Sequence, residues 1–201
     1  MTQVTAIRRA TGPSDQAAIT ETLALAFAND PVCQWVWQSG ELAHRVSRDF
    51  FAVFSGMVLE AGEALLHESK GGAALWLTVD PENDVHDEAF GAALAEACGP
   101  FVEKLGIIDE LMSAAHPKKE IHAYLPFIGV RPEQHGRGIG GELLASKLID
   151  VDREGLPAYL EATTLTAARL YERHGFVRLP HTIDLPDGPS MYPMWREARR
   201  I

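Results

Sequence analysis

The sequence predicts a single α/β domain covering residues 1–201. Short apolar segments rich in β-branched residues alternate along the chain with longer segments of helical periodicity. The chain is 201 residues long and 46% hydrophobic, which suffices for one domain with a sizeable core. Residues 125–149 predict a strand, a glycine-rich loop and a helix in succession. The functional prediction depends on this last segment.

The first half of the chain predicts strands and helices in alternation. Ser14 is a candidate N-cap for a helix over 15–27, in which Ile19 and Leu23 share one face. A second helix carries Phe50 and Phe54, and ordinary core is the simplest interpretation of these aromatics. The predicted elements are strand 4–9, helix 15–27, helix 42–59, strand 64–67 and strand 73–79, with an acidic loop over 81–87.

The second half begins with helices and then returns to strands. Gly99 and Pro100 divide two predicted helices, and Pro126 inside a central strand predicts either a β-bulge or a splayed edge. Gly175 is placed where a helix ends in a left-handed residue. The predicted elements are helices 89–97 and 101–115, strand 120–130, strand 158–163, helix 166–174, strand 176–179, a turn at 187–189 and strand 191–195 with a basic tail at Arg196, Arg199 and Arg200.

Four glycines separate the strand from the helix in the 125–149 segment. They are Gly136, Gly138, Gly140 and Gly141, and helical spacing of leucines follows them. Glycine lets the backbone approach a ligand closely, and the first turn of a helix presents amide hydrogens that no helical carbonyl accepts. The helix dipole adds partial positive charge at the same place. The segment therefore predicts a cradle for a phosphate or pyrophosphate.

Two familiar phosphate-binding patterns fit this segment poorly. A Walker loop needs Gly-Lys-Ser/Thr at its end, whereas Glu142 follows Gly141. The dinucleotide pattern GxGxxG does match from Gly136, and Glu161 lies where its ribose-binding acid would be. However, five residues separate Val130 from the first glycine, and about 60 residues remain after the loop, too few for most of a doubly wound sheet.

Two motifs together indicate a different family. The segment VRPEQHGRGIGGELL resembles the acetyl-CoA loop of the GNAT acetyltransferases, Gln/Arg-x-x-Gly-x-Gly/Ala, with His135 in place of the usual Gln or Arg. Leu170 to Phe176 resembles the second GNAT signature, LYExxGF, although the Asn that often precedes its Tyr is missing. The layout of the whole chain is similar to puromycin N-acetyltransferase-like proteins. This likeness implies the reaction class and not the drug.

The resemblance implies a mixed, mostly antiparallel central sheet with helices on both faces and two splayed central strands between which acetyl-CoA enters. Backbone groups of Ile128 and Val130 would pair with the pantetheine, and a donor near Phe127 or Ile128 would polarise the thioester carbonyl. The amides of the glycine loop would hold the pyrophosphate, with Arg137 near a phosphate. The implied cofactor-binding residues are Phe127, Ile128, Val130, His135, Gly136, Arg137, Gly138, Ile139, Gly140 and Gly141.

The catalytic prediction also follows from the resemblance. The amine attacks acetyl-CoA directly, and the sequence shows no Ser-His-Asp or Cys-His set that would suggest a covalent intermediate. The phenol of Tyr171 would protonate the departing thiolate, unless this tyrosine only packs its helix. Glu161 and His122 are the candidates for the base that deprotonates the amine. Alternatively, His122 is a satisfied core histidine and Glu161 is a structural acid that positions a loop.

Composition limits the possible partners. A net charge of −10 disfavours nucleic acid and anionic membranes and could attract cationic amines. Cys33 and Cys98 lack metal-ligand spacing, so we expect buried free thiols and no metal. No signal peptide or membrane span is visible, so a cytoplasmic monomer or homodimer is expected. Acetylation of a small-molecule amine is the leading hypothesis; acetylation of a protein or peptide and a catalytically silent acetyl-CoA-binding module are the alternatives.

Overall fold

A mixed β-sheet forms the centre of the computed structural model, which describes residues 6–38, 40–69, 71–83 and 88–199. Its strands are β1 Ile7–Arg9, β2 Glu63–His67, β3 Gly72–Val79, β4 His122–Val130, β5 Ala158–Ala162, β6 Val177–Arg178, β7 Ile183–Asp184 and β8 Ser190–Arg196. Their order is β1-β2-β3-β4-β5-β8-β6, and β7 pairs with β8.

The pairing between β4 and β5 creates the opening that matters for function. It is the parallel pairing in a sheet whose other ladders are antiparallel, and it is limited to Ala123 with Ala158 and Tyr124 with Tyr159. Beyond these pairs β4 stays bonded to β3 while β5 stays bonded to β8. The two central strands therefore diverge into a V, which confirms the predicted fold class.

Helices cover both faces of this sheet. They are α1 Gly12–Ala26, α2 Pro31–Trp37, α3 Glu41–Ala61, α4 Glu88–Cys98, α5 Val102–Ala115, α6 Ile139–Arg153 and α7 Leu165–Arg173. α6 and α7 pack on the face that carries Leu65 and Ala74. α1 and α3 pack on the face that carries Leu66 and Leu75, as the alternation of side chains along a strand requires. Among the described residues, no helix combines the length and the apolar character needed to span a membrane.

β4 contains the predicted bulge. The register between β3 and β4 shifts between Leu75 and Leu77, because Leu75 faces Phe127 while Leu77 faces Tyr124. One extra residue of β4 is therefore accommodated beside Pro126, which cannot donate to the ladder. The bulge falls where β4 leaves β5.

The start of the first helix differs from the prediction. Helix α1 begins at Gly12 rather than 15, and its N-cap is Thr11 instead of Ser14. Pro13 is suited to the first helical turn, and the Asp15 carboxylate accepts the backbone N–H of Thr11 at 2.8 Å. Residues 4 and 5 of the first predicted strand, and 84–87 of the acidic loop, lie outside the described residues.

Arg196, the first residue of the predicted basic tail, is buried at the end of a strand instead of being exposed. Arg196 ends β8, and its side chain is 3% exposed. It forms a bidentate pair with Asp152 of α6, with N–O distances of 2.6 and 2.7 Å. Its Nε also donates to the His174 carbonyl at 3.0 Å. A buried arginine needs such a partner, so the pair anchors the end of the sheet to α6.

Candidate active site

A cleft of about 2030 Å³ occupies the opening between β4 and β5. The glycine loop at the start of α6 lines this cleft together with residues of α2, α4 and α5. Glu161 of β5 and Tyr171 of α7 line it as well. The structure thus brings both sequence motifs and one predicted base to a single cavity.

The start of α6 turns free backbone amides toward this cleft. Gly138 is the helix N-cap with φ of 84°, and Gly136 has φ of 77°, a conformation that favours glycine. The first helical bond runs from the Glu142 N–H to the Gly138 carbonyl at 3.0 Å. The amides of Ile139, Gly140 and Gly141 therefore precede the first intrahelical hydrogen bond and have no helical acceptor. The cleft is lined by these three residues together with Gly136 and Gly138.

The loop before α6 is fixed by its own hydrogen bonds. The His135 Nε2–H donates to the Val130 carbonyl at 2.8 Å, and the Arg131 N–H donates to the Gly71 carbonyl at 2.8 Å. The His135 imidazole thus ties the loop back to β4 and occupies a carbonyl that was expected to face pantetheine. Arg137 is exposed and is not among the residues that line the cleft.

The part of β4 that lines the cleft is not paired with a strand on the side that faces β5. Phe127, Ile128 and Val130 line the cleft, and from Leu125 onward β4 has no ladder partner in β5. A Cβ at Gly129 would lie 2.7 Å from the Ala26 Cβ, so this glycine allows α1 to pack directly on β4. Unpaired strand backbone of this kind can pair with an amide-containing ligand.

Tyr171 lines the cleft from the inner face of α7. Its side chain is buried, and its ring lies edge-on to Phe176 with centroids 6.1 Å apart. Burial raises the pKa of the Tyr171 phenol well above its usual value, and the charge of Asp30 raises it further. A phenol in this environment stays protonated at neutral pH, so it can donate a proton but does not serve as a base.

Asp30 joins the two sides of the cleft, and the sequence analysis assigned it no role in the site. Its Oδ1 accepts the backbone N–H groups of Val32 and Cys33 at 2.9 and 3.2 Å, which caps α2. Its Oδ2 accepts the hydroxyl of Thr163 at the end of β5. Thr164 caps α7 by accepting the Ala167 N–H at 3.0 Å. These threonines have structural partners where the GNAT signature often has an asparagine.

Glu161 is a buried carboxyl group in the middle of the cleft. Its side chain is 3% exposed, and its Oε2 accepts the Tyr124 hydroxyl at 3.0 Å. Burial raises the pKa of Glu161 to about 7, against the opposing effect of the Tyr159 and Tyr124 hydroxyls. The Tyr159 hydroxyl approaches without meeting hydrogen-bond geometry, and within the described residues Oε1 has no hydrogen-bond partner. A carboxyl with this pKa exchanges protons near neutral pH.

His122 does not reach the cleft, contrary to its expected place as a base. It is fully buried, and its Nδ1 lies 2.9 Å from the Glu120 carbonyl. Its Nε2 lies 2.9 Å from Nε2 of His116, a residue that follows α5 and does line the cleft. The His116 Nδ1 is 3.9 Å from the Glu161 Oε1. Sequence reasoning missed His116, although its position just after a predicted helix and before a strand gave a weak signal.

The cysteine in the cleft wall is not a nucleophile. Cys33 is partly buried rather than fully buried, and Cys98 is fully buried; both are free. Burial and the Asp30 charge raise the pKa of the Cys33 thiol far above its ordinary value. A thiol that stays protonated does not form a covalent acyl intermediate readily.

Comparisons with known proteins agree with this architecture. Residues 105–178 match the model of the acetyltransferase (GNAT) domain. An uncharacterized N-acetyltransferase of Schizosaccharomyces pombe is 26% identical over 183 residues, which cover 81% of this chain and 71% of the relative. A crystal structure from Corynebacterium glutamicum, described as histone acetyltransferase HPA2 and related acetyltransferase, is 27% identical with a TM-score of 0.70, covering 98% of this chain and 97% of its own.

The chain has the GNAT fold. The arylalkylamine N-acetyltransferase 2 of Aedes aegypti shares it, with a TM-score of 0.65 at 16% identity over 96% of this chain and 99% of its own. The family match and the N-acetyltransferase relatives support an acyltransferase enzyme, as the sequence predicted. They support the GNAT family as a whole rather than the puromycin N-acetyltransferase-like layout in particular.

Proposed function

We propose that residues 1–201 form one GNAT domain that transfers the acetyl group of acetyl-CoA to the amine of a small molecule. The observation that carries the proposal is one cleft that contains the free amides of α6, the unpaired edge of β4, a protonated phenol and a buried carboxyl group. Each of these groups matches one requirement of acyl transfer from a thioester.

The described residues fit acetyl-CoA. The amides of Ile139, Gly140 and Gly141 suit the pyrophosphate because they are free and lie at the positive end of the helix dipole. The β4 edge at Ile128 suits the pantetheine amides, whereas the Val130 carbonyl already accepts the His135 Nε2–H. Acetyl-CoA, when bound, supplies the acetyl group as a thioester. GNAT acetyltransferases use it, and the absence of a thiolate at Cys33 favours direct attack by the amine.

Two side chains divide the proton transfers. Glu161 belongs to the base that deprotonates the ammonium group of the acceptor, because its pKa of about 7 leaves a substantial carboxylate fraction at neutral pH. Tyr171 donates its phenolic proton to the departing sulfur. Burial keeps the Tyr171 phenol protonated, as an acid requires, and brings the pKa of Glu161 close to neutral pH, where the carboxyl group can exchange a proton.

The distal end of the cleft favours a small amine with an apolar body. Phe54 and Phe90, which lie edge-on at 5.0 Å, line this end with Met57 and Leu94. Asp109 lines the same cleft, so carboxylate charge is available to attract an ammonium group. An apolar pocket with few polar groups is typical of small-molecule sites.

The test is release of free CoA thiol from acetyl-CoA in the presence of a panel of amines and peptides. We expect primary amines with apolar or aromatic bodies to be acetylated in preference to lysine-containing peptides and free N-terminal peptides. Glu161→Gln should slow turnover, and the deficit should shrink as pH rises because the free amine becomes abundant. Preference for peptides would contradict the acceptor class, and binding of acetyl-CoA without transfer to any acceptor would indicate the silent module.

A further inference from the structure

His122, His116 and Glu161 form a row of neighbouring side chains, and their hydrogen bonds determine which atoms of the two imidazoles carry protons. A backbone carbonyl can only accept, so His122 Nδ1, 2.9 Å from the Glu120 carbonyl, carries a proton. Burial lowers the pKa of His122, so the ring is neutral and its Nε2 is an acceptor. His116 Nε2, at 2.9 Å, must then be the donor between the two rings.

This assignment determines what His116 offers to Glu161. With a proton on Nε2, the neutral His116 ring has a lone pair on Nδ1, which lies 3.9 Å from the Glu161 Oε1. Two lone pairs at this separation repel, whereas a single proton on either group makes the contact attractive. Glu161 Oε1 has no hydrogen-bond partner among the described residues, so nothing else on this side satisfies the oxygen.

The side chains of His116, Glu161 and His122 differ in their exposure to the cleft. The His116 side chain is 18% exposed and lines the cleft, whereas the Glu161 side chain is 3% exposed and His122 is fully buried. A proton from a molecule in the cleft therefore meets His116 first. His116 is also held in orientation, because its ring contacts Tyr124 and Tyr159 edge-on with centroid distances of 4.9 and 4.7 Å.

We propose that His116 and Glu161 act as one base that holds a single proton between them, with His122 as the positioning residue that fixes the His116 tautomer. This inference rests on the proposed acetyl transfer and names the entry point of the proton. In the step, the N–H bond of the acceptor ammonium breaks and its electron pair stays on the amine nitrogen. A new N–H bond forms at His116 Nδ1, and the imidazolium is stabilised by the Glu161 carboxylate.

The groups around His116 favour an ion pair between a His116 imidazolium and the Glu161 carboxylate. From β4, His122 and Tyr124 face His116; from β5, Glu161 and Tyr159 do so. Asp109 of α5 acts on Tyr124. Both tyrosines have raised pKa values and stay neutral, so Glu161 is the anion in direct contact with the imidazole. The two groups should consequently titrate as a coupled pair.

The first test is an NMR titration of the free protein, which requires neither acetyl-CoA nor an acceptor. The ¹⁵N shifts of the imidazoles should show His122 as the neutral Nδ1–H tautomer and neutral His116 as the Nε2–H tautomer. Glu161→Gln should lower the His116 pKa by about one unit or more, because it removes an anion within ion-pair distance. An Nδ1–H tautomer on neutral His116, or a His116 titration that Glu161→Gln leaves unchanged, would overturn the proposal.

The second test is the pH profile of acetyl transfer in His116→Gln. The glutamine amide can still donate to His122, so the fold is retained, but it cannot take a proton. We expect kcat/KM for the amine to fall by about 10²- to 10⁴-fold at neutral pH and to recover as pH rises. Acetyl-CoA affinity should stay within a few-fold. His44→Gln, at an exposed histidine of α3 outside the cleft, is the matched control and should behave as wild type.

The two tests separate this inference from the proposed function. An active wild-type enzyme whose pH profile His116→Gln does not alter would overturn the His116 assignment and leave acetyl transfer standing. A wild-type protein that acetylates no amine would contradict the proposed function, and the NMR titration would still decide whether His116 and Glu161 share a proton.

Discussion

Gly138→Ala separates the backbone strain of the glycine loop from its role in binding. Gly138 has φ of 84°, and a Cβ built there meets its nearest atom, Glu142 Oε1, at 3.9 Å. Alanine therefore fits sterically, and its cost is the left-handed conformation, about 1–2 kcal/mol. For a chain of this size that corresponds to a fall in Tm of about 2–8 °C.

Gly155→Ala is the matched control for this strain. Gly155 has φ of 70°, has no atom within 4 Å of a built Cβ, and follows α6 at the end remote from the cleft. Both variants should lose similar stability in urea unfolding. Only Gly138→Ala should weaken acetyl-CoA binding in calorimetry, because relaxing the N-cap turns the amides of Ile139 and Gly140 away from the ligand.

The affinity comparison can refute this reasoning. If Gly138→Ala shows the expected loss of stability but binds acetyl-CoA as tightly as Gly155→Ala, the start of α6 does not hold the pyrophosphate. A loss of binding in both variants would instead indicate a global effect of destabilisation.

Three further predictions concern the proposed acid, the glycine loop and the Arg196–Asp152 ion pair. Tyr171→Phe should reduce kcat by about 10²- to 10⁴-fold with acetyl-CoA affinity within a few-fold, since only the hydroxyl is lost; ordinary turnover would leave Tyr171 as a packing residue. His135→Gln should be nearly neutral in both calorimetry and turnover, because the amide can replace the donor to the Val130 carbonyl; a large loss would show that the imidazole contacts the cofactor. Asp152→Ala should cost about 3–5 kcal/mol in urea unfolding, because it leaves Arg196 buried without its partner. Arg196 holds the pKa of Asp152 below its usual value, so this stabilisation is complete above about pH 4 and is lost as pH falls further; equal acid sensitivity in wild type and variant would contradict the assignment.

Local signals explain why the geometry of the glycine loop was predictable. The glycine loop, the helix after it and the left-handed Gly175 are set by residues within a few positions of one another. Pro126 likewise indicated an irregularity in the strand, because proline has no N–H to donate to a neighbouring strand. The predicted N-cap at Ser14 was wrong, because Pro13 already lies in the first turn of α1 and the Asp15 carboxylate accepts the Thr11 N–H.

The rest of the cleft depends on contacts that only the fold creates. Asp30 meets Thr163 across 133 residues, and nothing in the local pattern indicates that pairing. His116 and Glu161 likewise come together only because β4 and β5 are neighbours at their first ends. Arg196 was predicted to be solvated because charged residues usually are, and its burial depends on Asp152 in a distant helix.

Thermal unfolding with and without acetyl-CoA tests the central claim most directly. A ligand that binds the cleft of the folded state at about 100 times its dissociation constant adds roughly 2.7 kcal/mol to stability. We expect a clear rise in Tm with acetyl-CoA or CoA and none with NAD. No shift with saturating acetyl-CoA would contradict the assignment of the cleft, and a shift with NAD would favour dinucleotide binding at the glycine loop instead.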